Sequence, residues 1–130
     1  MITNLNITTF NVEEALRLAR DTLRIEAEAI LAVHKRFEQI EMAQALTHAI
    51  RILLACRGRV VVSGVGKSGH IGRKLAATFA STGTPAFFVH PTEASHGDLG
   101  MVQHEDVLLV LSNSGETAEL LSIVPLVKRI

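Results

Sequence analysis

Residues 59–74 read RVVVSGVGKSGHIGRK, and this stretch decides the fold of the chain. The β-branched run Arg59–Ser63 predicts a short buried strand, and the glycines that follow it predict a tight turn. A helix is expected to begin at Ser68 or Gly69 and to continue to about Ala80. A strand, a small-residue turn and a helix in this order are typical of one unit of a parallel α/β sheet.

The same order continues towards the end of the chain. The pattern predicts a second strand at Ala86–Val89, a loop at Pro91–Gly100 with room for a helical turn, a third strand at Asp106–Leu111, a turn at Ser112–Gly115 and a helix from Glu116 to the end. Because parallel strands need right-handed crossovers, the predicted architecture is α/β, with three layers in which helices flank a parallel sheet.

Two helices are predicted ahead of the sheet. Asn11, followed at once by acidic residues, is typical of a helix start, and apolar residues then recur at steps of three and four up to about residue 37. The same periodicity predicts a second helix that stops near Gly58. We therefore expect residues 1–57 to form an amino-terminal helical segment and residues 58–130 to form the α/β domain.

Composition excludes several classes of function. The 13 basic and 13 acidic residues balance, so the chain has no excess of positive charge to attract a nucleic acid. The single Cys56 cannot form an internal disulfide, which favours a reducing compartment. No apolar run approaches the roughly 20 residues that span a bilayer, and Met1–Phe10 lacks the apolar block of a signal peptide. We expect a cytoplasmic protein with neither a membrane nor a nucleic-acid partner.

The glycine turn is compatible with more than one kind of site. A Walker A loop would need glycine where the chain has Val61, so the ATPase interpretation fails. Gly64, Gly66 and Gly69 satisfy the dinucleotide fingerprint, but that site also needs an acid about 20 residues further on, and Thr84–His90 contains none. A turn selected only for its backbone geometry is a further alternative.

The remaining interpretation of this turn is a phosphate or sugar site. Ligands of open α/β sheets bind at the carboxyl ends of the strands, and free backbone N–H groups at a helix start favour an anion. Lys67 adds a positive charge and Ser68 adds a hydroxyl, and Gly66 is a further candidate binding residue. We favour this interpretation over the dinucleotide site.

A second turn, Ser112–Thr117, follows the third predicted strand. Its hydroxyls at Ser112, Ser114 and Thr117 are close enough in sequence to converge on one small anion. Serine and threonine also serve as ordinary helix N-caps, and one of them is expected to do so. Three hydroxyls and Asn113 exceed what one cap requires, so phosphate binding is the favoured interpretation.

Two histidines lie in the loop between these turns. His90 and His96 stand near Glu93 and Asp98, but their spacing matches no common zinc pattern, so we predict no metal site. An imidazole is a suitable general acid or base near neutral pH, which makes one of the two histidines a candidate for catalysis. Loop histidines that simply face water are the alternative.

Several long blocks in this order resemble the arabinose-5-phosphate isomerases of the sugar isomerase (SIS) domain family. These blocks are GVGKSGHIGRK at 64–74, ASTGTP at 80–85, FVHP at 88–91, HGDLGM at 96–101 and SNSGE at 112–116. The resemblance covers roughly residues 58–130, and the two leading helices also fit. It implies a SIS or flavodoxin-like fold that is incomplete at its carboxyl end, because family members continue with further strands and with another glutamate and histidine of the site.

The resemblance also implies a function. That function is the interconversion of D-arabinose 5-phosphate and D-ribulose 5-phosphate by a homotetramer without a cofactor, supplying Kdo synthesis for lipopolysaccharide or capsule. By position, Lys67, His96 and Glu119 match family active-site or motif residues, and the hydroxyl turn matches the phosphate site. Glu116 is a second candidate base, expected one helical turn before Glu119. A phosphosugar-binding SIS module without turnover is the alternative, since binding alone needs only the two turns.

Overall fold

The structure, a computed structural model, describes residues 10–130. Within that range the helices are α1 (Val12–Arg36), α2 (Ile40–Ala55), α3 (Gly66–Ser81), α4 (Pro91–Ser95) and α5 (Ala118–Val127), and the strands are β1 (Val60–Gly64), β2 (Ala86–Val89) and β3 (Val107–Leu111). A 3₁₀ turn covers Asp98–Met101. Apart from Phe10, the amino-terminal stretch for which we expected no signal peptide lies outside the described residues.

The three strands form one parallel sheet in the order β2-β1-β3. The central strand β1 is buried along its whole length, and its Val60 pairs with Ala86 on one side and Val107 on the other. A run of valines without polar alternation suits a strand that is covered on both faces. The parallel α/β architecture predicted from the sequence is confirmed.

Each face of the sheet carries its own apolar core. Val61 points into a core with Leu120 and Ile123 of α5, and Val60 and Val62 point into a second core with α3. Side chains alternate between the two faces of a strand, so neighbouring valines of β1 support different helical layers. The predicted three-layer arrangement is therefore present, with α3 on one face and α4 and α5 on the other.

Helix α3 packs very closely against the end of β1. A Cβ built at Gly69 would lie 2.6 Å from the carbonyl oxygen of Gly64, so any larger residue there would have to move backbone. The helix begins at Gly66, earlier than the Ser68 or Gly69 expected from the sequence, with Val65 as its extended N-cap residue. Gly66 takes a positive φ of 57°, which glycine adopts without strain and which the sequence pattern did not anticipate.

An ion pair joins the starts of β1 and β3, at the edge of the sheet away from the two turns. The carboxylate of Asp106 accepts hydrogen bonds from the backbone N–H and the guanidinium of Arg59, at 2.7 and 2.9 Å. It also accepts the backbone N–H of Gln103. Burial opposes ionisation of Asp106, but these donors outweigh it and hold the pKa of the carboxyl below its ordinary value.

The chain divides into two compact units, one ending at Thr47 and the other covering His48–Ile130. In the first unit, α1 has an Asn11 cap whose side chain accepts the N–H of Glu14, and it contains no buried residue. Within residues 10–130, none of the helices combines the length and the hydropathy that a membrane span requires. The expected division into segments 1–57 and 58–130 stays a prediction.

Candidate functional site

The glycine turn and the hydroxyl turn lie side by side, because β1 and β3 are neighbours in the sheet and both end at this edge. A cavity of about 360 Å³ opens between them, lined by Lys67, Ser68, Ile71, Leu111, Ser112 and Asn113. The structure thus brings Lys67 and Ser68 to the same cavity as Ser112. A cation, two hydroxyls and an amide around one opening suit a small polar anion. We call this opening the lysine cavity.

The hydroxyl turn is ordered by its own hydrogen bonds. The hydroxyls of Ser112 and Thr117 are 3.0 Å apart, and Ser112 Oγ also accepts the backbone N–H of Gly115 at 3.0 Å. Ser114 Oγ accepts the N–H of Glu116 at 3.2 Å. Thr117 occupies the N-cap position of α5, yet its hydroxyl makes no capping bond to the helix. Capping alone therefore does not account for the hydroxyls of this turn.

Glu116 does not open the last helix, contrary to the prediction. Helix α5 begins at Ala118, so Glu116 lies in the turn and Glu119 lies in the first helical turn. Two local features end the turn late: Gly115 takes a φ of 73°, and the Glu116 N–H is bound by Ser114. Of the two glutamates, only Glu119 therefore lies in the helix, and the prediction that Glu116 lies one helical turn before it is wrong.

The two histidines of the loop occupy opposite ends of α4. His90 is the N-cap residue, and its ring Nδ1 accepts the backbone N–H of Thr92 at 3.3 Å. His96 follows the last residue of α4 and is exposed, with its backbone N–H bound to the carbonyls of Thr92 and Glu93. The lysine cavity is lined by neither His96 nor Glu119. The structure therefore does not bring these two candidates to Lys67 within this cavity.

A second cavity, of about 220 Å³, lies on the other side of the glycine turn, towards β2. Its lining consists of Gly64, Gly66, Gly69, His70, Arg73, Phe88 and His90. Sequence reasoning named Gly66 as a binding residue and weighed His90, but it missed His70 and Arg73. Their spacing of three residues on α3 places them on one side of the helix, and this was the available signal. We call this opening the histidine cavity.

The geometry does not suggest a metal centre. Within residues 10–130, no three His, Cys, Asp or Glu side chains come together in a way that could hold a metal ion. The two cavities instead carry lysine, arginine, imidazole, hydroxyl and amide groups, which suit anionic ligands. A parallel sheet whose first and third strands both end in turns of small residues is typical of open α/β proteins, which bind ligands at the carboxyl ends of their strands.

The chain belongs to the SIS domain family, whose profile matches residues 53–129. It is 53% identical over 112 residues to the arabinose 5-phosphate isomerase KdsD of Pseudomonas aeruginosa, covering 86% of this chain and 33% of that protein. It is 46% identical over 126 residues to the KdsD of Yersinia pestis, covering 95% of this chain and 37% of that protein. The chain thus spans about a third of the length of the curated relatives it matches.

Solved structures agree with this assignment. A protein of Escherichia coli CFT073, solved in complex with arabinose 5-phosphate, superposes with a TM-score of 0.80 at 48% identity, covering 92% of this chain and 61% of that one. A putative sugar-phosphate isomerase of Listeria monocytogenes gives the same TM-score at 34% identity, with the same coverage. The resemblance to the SIS family and the fold that it implied are confirmed.

Proposed function

We propose that this chain carries the arabinose-5-phosphate isomerase function of the SIS domain, acting on D-arabinose 5-phosphate and D-ribulose 5-phosphate. The observation that supports this most directly is the lysine cavity, in which Lys67 and Ser68 of one turn face Ser112 of the other. The names of the KdsD relatives and the sugar phosphate bound in the E. coli structure point to the same substrate. The Kdo pathway, for lipopolysaccharide or capsule, would be the consumer of the product.

The hydroxyl turn is the proposed holder of the substrate phosphate. Ser112 and Thr117 already share a hydrogen bond, so their hydroxyls are positioned before a ligand arrives. Ser114 and the first N–H groups of α5 lie next to them, and a helix start favours an anion. Ser68 would contact the sugar from the opposite side of the lysine cavity. Gly66 stays a candidate binding residue, although it lines the histidine cavity and not this one.

The proposed reaction moves hydrogen between C1 and C2 of the open-chain sugar. A base takes the proton from C2 while O1 gains one, which gives an enediol; C1 then gains a proton and O2 loses one, which gives the ketose. Glu119, carried by the first turn of α5, is the proposed base, with Glu116 as the second candidate. Lys67 would stabilise the oxyanion that develops in each step.

His96 is proposed as an acid–base group that serves the sugar oxygens. It is exposed at the end of α4 and does not line the lysine cavity. Its participation therefore requires the ligand to extend beyond that cavity, or the loop to approach the ligand. No organic cofactor enters this scheme, because a proton shuttle requires only a base, an acid and an oxyanion partner.

The proposal extends to the setting of the enzyme. We propose a cytoplasmic homotetramer, with the small-molecule phosphosugar as its ligand and without a nucleic-acid or membrane partner. The single Cys56, which has no second cysteine to pair with, favours a reducing compartment. The exposed apolar residues of α1, among them Leu16, Leu23 and Ile30, favour association between copies.

One titration separates the proposed enzyme from its alternatives. The purified chain is titrated with arabinose 5-phosphate, NAD and ATP by calorimetry, and ribulose 5-phosphate formation is then assayed. The expected result is binding of arabinose 5-phosphate and not of NAD or ATP, and formation of ribulose 5-phosphate would favour an enzyme. Binding without turnover would favour the non-catalytic SIS module. Preference for NAD or ATP, or no binding of the sugar, would contradict the proposal.

A further inference from the structure

We propose that the histidine cavity is a second anion-binding site, separate from the hydroxyl turn, for a phosphate or carboxylate group of a small molecule. Three of its lining side chains, His70, Arg73 and His90, are nitrogen donors when charged or suitably protonated. Among the described residues, the lining contains no acidic side chain. Its volume of about 220 Å³ far exceeds the ~10–15 Å³ that one water needs.

Arg73 is the group that gives this cavity its permanent charge. Its guanidinium is held 4.2 Å above the ring of Phe88, which also lines the cavity. Contact with an aromatic face restricts the guanidinium and leaves its N–H groups free to bind an anion. Among the ion pairs formed within residues 10–130, none involves Arg73, so an external anion would not have to displace a carboxylate.

His90 supplies an oriented donor. Because its Nδ1 accepts the N–H of Thr92, the ring proton of the neutral imidazole resides on Nε2. The same hydrogen bond holds the ring at the N-terminus of α4. A histidine held in this way offers one N–H to a ligand without a further loss of side-chain freedom.

The glycine turn leaves room for a ligand along the wall of the cavity. A Cβ built at Gly66 would meet nothing within 4 Å, so the backbone of the turn faces free space there. The buried Gly69, by contrast, packs against Gly64 and closes the bottom. The cavity and the lysine cavity thus share one turn but use different side chains, and none of the described residues lines both. Two anions could be held at once on the two sides of this turn.

The test is an NMR titration of the purified chain with inorganic phosphate, at constant pH and ionic strength. The ring resonances of His70 and His90 report the histidine cavity, and the amides of Ser112–Thr117 report the hydroxyl turn. We expect both rings to respond with one dissociation constant. Arg73→Gln should weaken that response at least about tenfold, as the loss of a hydrogen bond to a charged group does.

Matched variants make this result specific. Lys74→Gln removes the same charge from the next residue of α3, which does not line the cavity, and should change the affinity less than about twofold. His70→Gln alters an exposed lining residue, so a weaker response of the His90 ring in that variant would not reflect lost packing. A parallel titration with acetate identifies the group that is preferred, phosphate or carboxylate; either preference supports the site.

Three outcomes would overturn the proposal. The His70 and His90 rings would not respond to either anion, or Lys74→Gln would weaken binding as much as Arg73→Gln. The third outcome is that Ser114→Ala with Thr117→Ala abolishes the response of the histidine rings, which would mean that the histidine cavity and the hydroxyl turn form a single site. If the ring response persists in that double variant while arabinose 5-phosphate binding is lost or was never present, the second site stands independently of the proposed isomerase function.

Discussion

Lys67 lies exposed at the start of α3, where its side chain borders the lysine cavity and takes no part in either apolar core. Lys67→Ala should therefore keep the fold, as measured by circular dichroism. If the ammonium stabilises an oxyanion, its loss should lower turnover of arabinose 5-phosphate by about 100-fold or more. Lys74→Ala, an exposed lysine of the same helix, is the control. An unfolded Lys67→Ala variant, or one with full activity, would refute the assigned role.

The hydroxyls of Ser114 and Thr117 are predicted to bind the substrate phosphate. Removing both in Ser114→Ala, Thr117→Ala should weaken arabinose 5-phosphate binding, because each lost hydrogen bond to a charged group costs about 1.5–3 kcal/mol. Calorimetry measures the change. The exposed Ser95, whose hydroxyl bonds the carbonyl of Thr92 outside both cavities, provides the control Ser95→Ala. Unchanged affinity in the double variant would remove the hydroxyl turn from the site.

For individual residues of the candidate site, the sequence identified the two turns but not the placement of every side chain. The residues Lys67, Ser68 and Ser112 could be named because each follows a strand, and strand ends of a parallel sheet meet. Arg73 and His70 could not be placed at a cavity without knowing how α3 is rotated against Phe88 of β2. The position of a helix about its own axis depends on tertiary packing, which local pattern does not contain.

Among the elements, α3 packs very closely against the end of β1. Gly69→Ala would place a Cβ 2.6 Å from the Gly64 carbonyl oxygen, and the backbone must shift to relieve it. We expect a loss of unfolding free energy of about 1–3 kcal/mol, the usual range for overpacking. Gly100→Ala, whose Cβ would meet nothing within 4 Å, should change stability far less. Urea denaturation of the two variants checks this, and equal midpoints would contradict it.

Element boundaries were predictable to within about two residues, and the exceptions have local causes. The strand at Ala86–Val89 is as predicted, because turn residues bound it on both sides. Helix α3 begins at Gly66, which adopts a positive φ. Helix α5 begins late because serine side chains of the hydroxyl turn bind the backbone N–H groups of Gly115 and Glu116, just ahead of the helix. Such side-chain to backbone bonds compete with helix formation, and sequence periodicity does not register them.

For the sheet as a whole, the pair of Arg59 and Asp106 predicts an acid-sensitive stability. The folded-state pKa of Asp106 is lowered. The contribution of this carboxylate to the free energy of unfolding is therefore complete above the ordinary carboxyl pKa, about 3.9, and is lost as the pH falls through the folded-state pKa. Asp106→Asn should cost on the order of 2–3 kcal/mol near neutral pH, less than the ~3–5 kcal/mol of a fully buried pair, because Arg59 is partly exposed.

Denaturation of both forms across pH tests this linkage. The difference in unfolding free energy between wild type and Asp106→Asn should be constant above about pH 5 and should shrink below about pH 4. The exposed Asp98→Asn, which makes no ion pair among those that the structure describes, serves as the control and should show no such change. A difference that stays constant down to about pH 2 would show that the carboxylate charge of Asp106 does not stabilise the fold.

The last prediction concerns association of whole chains through α1. Leu16, Leu23 and Ile30 repeat at intervals of seven residues and are 56%, 66% and 71% exposed, while Arg24 and Glu28 form an ion pair along the same helix. An apolar repeat of this period on a helix that buries no residue of its own is typical of a surface that packs against another helix. Exposed ion pairs contribute at most about 1 kcal/mol, so association should depend on the apolar repeat.

Light scattering coupled to size-exclusion chromatography should therefore find an oligomer for the wild type, a tetramer if the family resemblance extends to assembly. Leu16→Gln with Leu23→Gln should lower the mass, because each loses apolar burial of about 1.5–3 kcal/mol at an interface. Arg24→Gln with Glu28→Gln, on the ion-paired side chains, should keep the oligomer. A monomeric wild type would refute association, and an unchanged mass in the double leucine variant would place the interface elsewhere than on α1.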